Sequence, residues 1–353
     1  MKSLDAEFLR RQPISHGLVQ TIRLLGEYRG KHDLFVQQAP QVLDSLQDSA
    51  RIESAESSNR IEGVTAPPER MKAILQKGGM PSNRSEQEIA GYRDVLATIH
   101  ASYAYIPITT GIILQFHRDL YGFHTSSVGG HWKSANNEIA ETHPDGSRVI
   151  RFTPTPAWQT PAAMEDLCDS FRGLKASGEF DTLLLIPAFV LDFLCIHPFL
   201  DGNGRMSRLL TLLLLYQAGY DVGRYISLER IVEQHKEGYY DTLGDASQEW
   251  HEGHHSLMRW WDYFLGVILL AAYREFESRV GVVTSLRGSK RELVIDVIRR
   301  LPPSFRFAEV ERVCPDVSRP TIQRVFDELR RKGVLRSTGR GPLARWEKTG
   351  EAF

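Results

Sequence analysis

Apolar residues recur at intervals of three and four along most of the chain, the period of a helix with one buried stripe, while β-branched runs bounded by turn residues are scarce. The pattern predicts a mainly α protein. Helices are expected over 40–61, 85–103, 110–121, 161–176, 182–196, 203–218, 228–243 and 255–280. Ser85 with Glu88 three residues on reads as a capping box, and Gly63 as the stop of the 40–61 helix. One stretch leaves the helical period. Residues 138–141 and 148–152 flank a Pro144, Asp145, Gly146 turn, which predicts a hairpin over 137–152.

Past a Gly288-containing break at 284–289, helical patterns return at 290–301, near 308–314 and at 319–332. A turn at 339–342 between two short apolar stretches closes the chain, and three helices followed by a hairpin is the order of a winged helix-turn-helix. Three regions are therefore expected: a helical segment 1–84, a helical core 85–283 and a winged helix 287–350.

Charge sharpens that division. The whole chain of 353 residues is nearly neutral, with 43 Lys and Arg against 44 Asp and Glu, but from Arg287 onward there are 16 basic and 9 acidic residues. A basic module follows an acidic body. The 42% of hydrophobic residues are those of a globular protein rather than a disordered or fibrous one. Cys168, Cys195 and Cys314 have neither disulfide-framework nor zinc spacing, which fits a reducing, cytoplasmic setting. The start lacks the apolar core of a signal peptide, and the greasiest runs fall short of the roughly 20 residues that cross a bilayer, so no membrane association is expected.

The chemistry concentrates in His197 to Arg208, HPFLDGNGRMSR, between two amphipathic helices. Pro198 disfavours helix at His197, so a loop should empty into a helix starting near Asn203. A helix N-terminus offers unpaired N–H groups and partial positive charge, and Gly202 and Gly204 let phosphates approach the backbone. Arg205 and Arg208, three apart, could each fork onto phosphate oxygens. Asp201 offers a hard ligand for Mg²⁺, and His197 titrates in the range of a general base.

This string resembles the signature of the Fic family, HxFx(D/E)GNGRxxR, and matches it at every specified position. The resemblance implies a Fic helical core with a β-hairpin flap, and protein adenylylation from ATP with Mg²⁺. His197 would be the base, Asp201 the metal ligand, and Gly202, Asn203, Gly204, Arg205 and Arg208 the phosphate binders. AMP would pass to a Ser, Thr or Tyr hydroxyl of a target protein whose identity the sequence does not give. Family members with Lys at the second Gly behave as kinases, and Gly204 resembles the nucleotidyl-transferring branch.

Gly130 to Lys133 and Arg148 to Pro156 are similar to the segments flanking the family's target-positioning hairpin, with Lys133 where Arg is usual. Asn137, Glu138, Ile139, Val149 and Ile150 would then offer a strand edge to a target peptide. Gly238, Tyr239, Tyr240 and Leu243 look like the helix facing the adenine, with Tyr240 the candidate base contact. Ser58 to Gly63, SNRIEG, fits the family's inhibitory pattern (S/T)xxxE(G/N), placed before the core. It implies that Ser58, Glu62 and Gly63 form a brake in which Glu62 pairs bidentately with Arg208.

For the basic tail, Arg319, Gln323, Arg324 and, in the wing, Arg340 are candidate DNA contacts, although Asp327 and Glu328 interrupt the reading helix. Two other readings stay open: a DNA-binding regulator whose core only senses nucleotide, and an enzyme that removes AMP from a modified protein. A homo-oligomer is also compatible with the sequence.

Overall fold

Helices carry the fold in the computed structural model, which describes residues 2–38, 40–124, 129–142, 148–301, 304–314, 317–338 and 345–349. Helices α1 (Ala6–Arg11), α2 (His16–Gln38), α3 (Pro40–Ile61) and α4 (Pro68–Lys77) precede α5 (Arg84–Ser102) and α6 (Thr110–Leu120). A hairpin of β1 (Ile139–Thr142) and β2 (Arg148–Phe152) leads to α7 (Thr160–Ser177), α8 (Thr182–Ile196) and α9 (Asn203–Gln217). Then come α10 (Leu228–Gln234), α11 (Lys236–Ser247), α12 (Met258–Trp261), a π-helical segment Asp262–Leu269 and α13 (Leu270–Arg300). The chain ends with β3 (Ser304–Arg306), α14 (Phe307–Val313), α15 (Arg319–Arg331), β4 (Leu335–Thr338) and β5 (Arg345–Lys348). Among the described residues no helix is long and apolar enough to cross a membrane.

The contacts divide the chain into compact units Met1–Phe276 and Glu277–Phe353. At the centre of the first unit is α8, buried from Leu183 to Ile196. A helix that is hydrophobic all round belongs in a core, and α7 and α9 flank this one. Its Asp181 N-cap accepts the Leu183 N–H at 2.8 Å, and the indole N–H groups of Trp260 and Trp261 bond Pro187 O and Leu184 O at 2.7 and 3.0 Å. The one carboxylate on α8, Asp192, is fully buried and accepts from the Ser3 N–H and hydroxyl and from Trp250 Nε1, which ties the start of the chain to the helix that ends at His197. Burial raises Asp192 to about 6 against those donors.

The second unit has its own core of Val294, Ile298, Phe305, Val310, Ile322, Phe326 and Trp346. Among its described residues, three strands pair antiparallel in the order β3, β5, β4.

Several boundaries differ from the periodicity. The cap of α5 is Asn83, whose Oδ1 accepts the Glu86 N–H at 3.0 Å, two residues before the expected Ser85. The 228–243 helix is two, broken at His235, whose carbonyl accepts the Tyr263 hydroxyl at 2.8 Å. The expected break at 284–289 is helical, within α13, because one Gly and two Ser weaken a helix without stopping it. Helices α1, α2 and α4 fall in the segment expected to be helical, though the periodicity does not set their bounds, and β3 adds a strand to the expected hairpin.

Candidate active site

His197 ends α8 in the left-handed region at φ 50°, a conformation that costs a non-glycine residue about 1–3 kcal/mol and persists only where the surroundings impose it. Four donors impose it here. Leu194 O faces His197 Nδ1 at 3.3 Å, Cys195 O accepts the Thr155 N–H at 3.3 Å, Ile196 O accepts Lys133 Nζ at 2.9 Å, and His197 O accepts Asn137 Nδ2 at 3.4 Å. Every carbonyl released at the end of α8 is thereby satisfied. Because a carbonyl only accepts, Nδ1 carries the ring proton and Nε2 keeps its lone pair. Burial lowers His197 to about 4; the Leu194 carbonyl and Glu62 oppose the shift, and Lys133 adds to it. Near neutral pH the ring is an uncharged base.

Asn137 was expected in the target-docking edge and is part of this scaffold instead. Its Nδ2 also donates to Phe199 O at 3.1 Å, and its Oδ1 accepts Lys133 Nζ at 2.8 Å. A buried loop has carbonyls to satisfy, and an amide between two of them does so. Burial lowers Lys133 to about 8.

Gly202 opens α9 at φ 84°, with the Tyr121 hydroxyl 3.0 Å from where a Cβ would sit. The next residues do not share the role expected of them. The Asn203 side chain, buried, brackets Phe199, accepting its N–H at 2.9 Å and donating to its carbonyl at 2.8 Å, so it shapes the loop rather than facing phosphate. Arg205 is 1% exposed, ion-paired with Glu88 of α5 and donating to the Tyr121 hydroxyl at 3.0 Å. Of the two arginines expected to form a clamp, Arg205 is thus committed to the core, and Arg208 alone lines the cavity of the site. Replacing Arg205 with Ala leaves Glu88 buried beside only the exposed Arg84, and should cost about 3 kcal/mol of folding stability, read in denaturant unfolding. A phosphate clamp would lose nucleotide affinity at unchanged stability.

Asp201 has a half-exposed carboxylate near Arg205 and Arg84, at 3.5 and 3.6 Å. Partial burial raises its pKa, but Arg205, the Tyr121 hydroxyl, the Gly202 N–H and Arg84 outweigh that and hold it below the usual carboxylate range. Its main-chain carbonyl is held by His117, which sequence reasoning missed. Nδ1 of that buried ring accepts the Gly130 N–H at 3.0 Å, which leaves Nε2 to donate to Asp201 O at 3.1 Å, and the ring stacks on Phe199 with centroids 3.6 Å apart. Among the described residues no three His, Cys, Asp or Glu converge on a common point. One carboxylate suits Mg²⁺, which takes its other ligands from water and substrate phosphates, better than a metal held by protein alone.

Opposite this loop stands the end of α3. Ser58 and Glu62 are one turn apart, and Gly63 closes the helix at φ 77°. Arg208 Nε donates to Ser58 Oγ at 2.8 Å, while Nη2 reaches Ser58 O at 2.8 Å and Glu62 Oε1 at 2.7 Å. A single nitrogen touches the carboxylate, so the expected bidentate pair is a clamp shared among three acceptors. Glu62 Oε1 lies 2.1 Å from where a Cβ on Gly204 would be. Only glycine leaves the carboxylate that seat.

A cavity of about 870 Å³ joins these parts, lined by Glu62, His197, Gly204, Arg208, Ile139 and Arg151, and by Tyr239 and Tyr240 on α11. Asp201, Asn203 and Arg205 lie outside that lining. Tyr240 is 44% exposed, whereas Tyr239 is buried against Trp260 and Tyr263. The hairpin pairs Ala140 with Ile150 and Glu141 with Val149, with a bulge between Ile139 and Ala140. Val149 and Ile150 are exposed, and Glu138 precedes β1 and pairs with Arg148 at 3.6 Å. The expected turn at Pro144 to Gly146 lies outside the described residues.

In the second unit α15 buries Ile322, Val325, Phe326 and Leu329 and exposes Arg319, Gln323 and Arg324. Arg319 also pairs with Glu311 at 3.4 Å. Arg340 lies outside the described residues.

Residues 107–215 match the profile of the Fic/DOC family, and this stretch of the chain is a Fic/DOC domain. The chain is 27% identical over 211 residues to the protein adenylyltransferase Fic of Aedes aegypti, a match covering 58% of this chain and 39% of that protein. With the protein of the same name from Drosophila erecta it shares 30% over 167 residues, 45% of this chain and 31% of that one. The chain thus spans about two fifths of the length of the first of these relatives. A Fic family protein from Desulfovibrio desulfuricans G20 superposes with a TM-score of 0.62 over 97% of this chain and 98% of the other, at 21% identity. The fold is shared.

Proposed function

We propose that the protein transfers AMP from MgATP to a hydroxyl of a target protein, and that α3 holds this activity down. The observation that carries the reading is the buried His197, its Nδ1 facing Leu194 O, in one cavity with Gly204 and an Arg208 that Glu62 occupies. The insect relatives, which are protein adenylyltransferases by name, support the same class of reaction.

In this mechanism the target hydroxyl attacks the α-phosphorus. His197 Nε2 takes the hydroxyl proton, the new O–P bond forms as the bond from the α-phosphorus to the bridging oxygen breaks, and pyrophosphate leaves. The N–H groups at the start of α9 and the Arg208 guanidinium receive phosphate oxygens. Asp201 would hold Mg²⁺, which when bound offsets phosphate charge. Tyr240 offers a face to the base, and the edge carrying Ile139, Val149 and Ile150 aligns the target main chain. Labelled ATP decides the reaction class: transfer of label from the α position supports the reading, and transfer from the γ position alone overturns it.

The exposed Gln323 and Arg324 on α15 favour a second role, DNA contact through a winged helix. Duplex DNA should then bind the full chain with an affinity that drops at least tenfold between 50 and 200 mM salt, and Arg324→Ala should reduce that slope by about one. Binding that is absent at low salt removes this role.

A further inference from the structure

The carbonyls at the end of α3 show what holds the brake in place. A helix leaves its last carbonyls without intrahelical partners, and here each has found a donor. Asn59 O accepts the Glu62 and Val64 N–H groups at 3.0 and 2.9 Å, and Arg60 O accepts the Gly63 N–H at 3.0 Å, the local closure that a left-handed glycine permits. The other two are reached by cations from elsewhere in the fold. Ser58 O accepts Arg208 Nη2 at 2.8 Å, and Ile61 O accepts Lys236 Nζ at 2.9 Å. Positive charge at this end of a helix is favourable.

Lys236 is the first residue of α11, so this cation reaches across from the element that carries Tyr239 and Tyr240. Its ammonium lies 5.9 Å from the Tyr240 ring centroid, and its side chain lines the same cavity as His197 and Arg208. Ile61 immediately precedes Glu62. Farther back, α3 is tied to α10 by Arg60 with Glu233 at 2.7 Å and by Glu53 with Arg230 at 3.0 Å. Those two pairs are outside the cavity lining, and Lys236 is inside it.

Building on the reading of α3 as a brake, we propose that Lys236 is a second positioning residue for it. Through Ile61 O, Lys236 sets the end of α3 so that Glu62 meets Arg208, and it yields this carbonyl to the polyphosphate of an entering nucleotide. The end of α3 and the nucleotide thus compete for two cations, Arg208 and Lys236. An ammonium on a flexible stem suits the exchange, since it turns to a phosphate oxygen by rotamer change alone.

The test compares wild type, Lys236→Met, Lys236→Arg, Glu62→Gly and the Lys236→Met, Glu62→Gly double variant in transfer of α-label at saturating MgATP. Lys236→Met should raise turnover about three- to tenfold where Glu62 is present and add nothing where it is absent, while Lys236→Arg stays near wild type. A Lys236→Met protein no more active than wild type, or one with the same gain in both backgrounds, overturns the proposal. A structural loss would instead lower turnover in both. Amide hydrogen exchange at Glu62, Gly63 and Val64 gives a readout independent of transfer: it should quicken in Lys236→Met and, in wild type, on addition of inorganic triphosphate. Unchanged exchange in both cases also overturns it. If Glu62→Gly itself transfers nothing, the adenylylation reading fails, and the exchange data still decide whether Lys236 holds the end of α3.

Discussion

Replacing His197 with Ala lowers AMP transfer by about 10²- to 10⁴-fold and leaves MgATP binding within a few fold. The side chain meets the reacting proton, whereas the ground-state phosphate contacts belong to the start of α9 and to Arg208, so the loss falls on turnover rather than affinity. Transfer by His197→Ala near that of an active parent removes this residue from the mechanism. Its protonation offers a direct check. Burial and Lys133 lower the pKa and Glu62 and Leu194 O raise it, for a result of about 4, so the ring stays neutral as pH falls through 6.5 and gains its proton only near 4. In an NMR titration of the nucleotide-free protein the His197 midpoint should lie well below 6.5, and bound polyphosphate should move it up. Between those two values the unfolded chain binds the extra proton, so this residue makes stability rise with pH from about 4 to about 6.5. A midpoint of 6.5 or above would mean that His197 is solvated and its Nδ1 bond to Leu194 O is not made.

His197, Gly202 and Gly204 were readable from the sequence because their roles are local: a Pro ends one helix, glycines open the next, and both follow from backbone geometry. The pairing of α3 with α9 came from the resemblance of SNRIEG to the family's inhibitory pattern; Ser58 and Glu62 share a helix face, and the Arg208 guanidinium donates to both. The limits appear where a role depends on a distant partner. Arg205 and Arg208 look equivalent at a spacing of three, yet Glu88, from another helix, takes Arg205 into the core and leaves Arg208 to the cavity. Asn203 and Asn137 have side chains suited to a ligand, but the carbonyl and N–H groups of the buried loop claimed them first. His117 and Lys236 carried no signal at all. A lone His on an apolar helix face and a Lys at a helix start are ordinary, and only the folded chain sets them against Asp201 O and Ile61 O. The joined helices at His235 show the same limit in the backbone, because apolar spacing continues through a break that is fixed by tertiary hydrogen bonding.

Replacing Glu62 with Gly raises AMP transfer about ten- to a hundredfold, and the gain depends on Arg208. The bond from Nη2 to Oε1, at 2.7 Å with Arg208 buried and Glu62 about one-third exposed, is a charge-assisted contact. Contacts of this kind bias a site by about 1.5–3 kcal/mol, and every 1.4 kcal/mol is tenfold. Glu62 also occupies the space over Gly204, so its removal opens the backbone at the start of α9 as well as the guanidinium. The two contacts of Arg208 with Ser58 survive the change, which keeps the freed guanidinium facing the cavity and preorganised for an outer phosphate. With Arg208→Ala alone the brake and the phosphate contact are lost together, so activity should not rise. In Glu62→Gly with Arg208→Ala the activation should largely vanish, giving a coupling energy in the double-mutant cycle close to the gain itself. Glu62→Gln separates charge from shape: it keeps the side chain over Gly204 and removes the ion pair, so its activity should lie between wild type and Glu62→Gly. A Glu62→Gly protein no more active than wild type on any acceptor, itself included, or one whose gain survives the loss of Arg208, would reduce the end of α3 to a capped helix packed against the cavity.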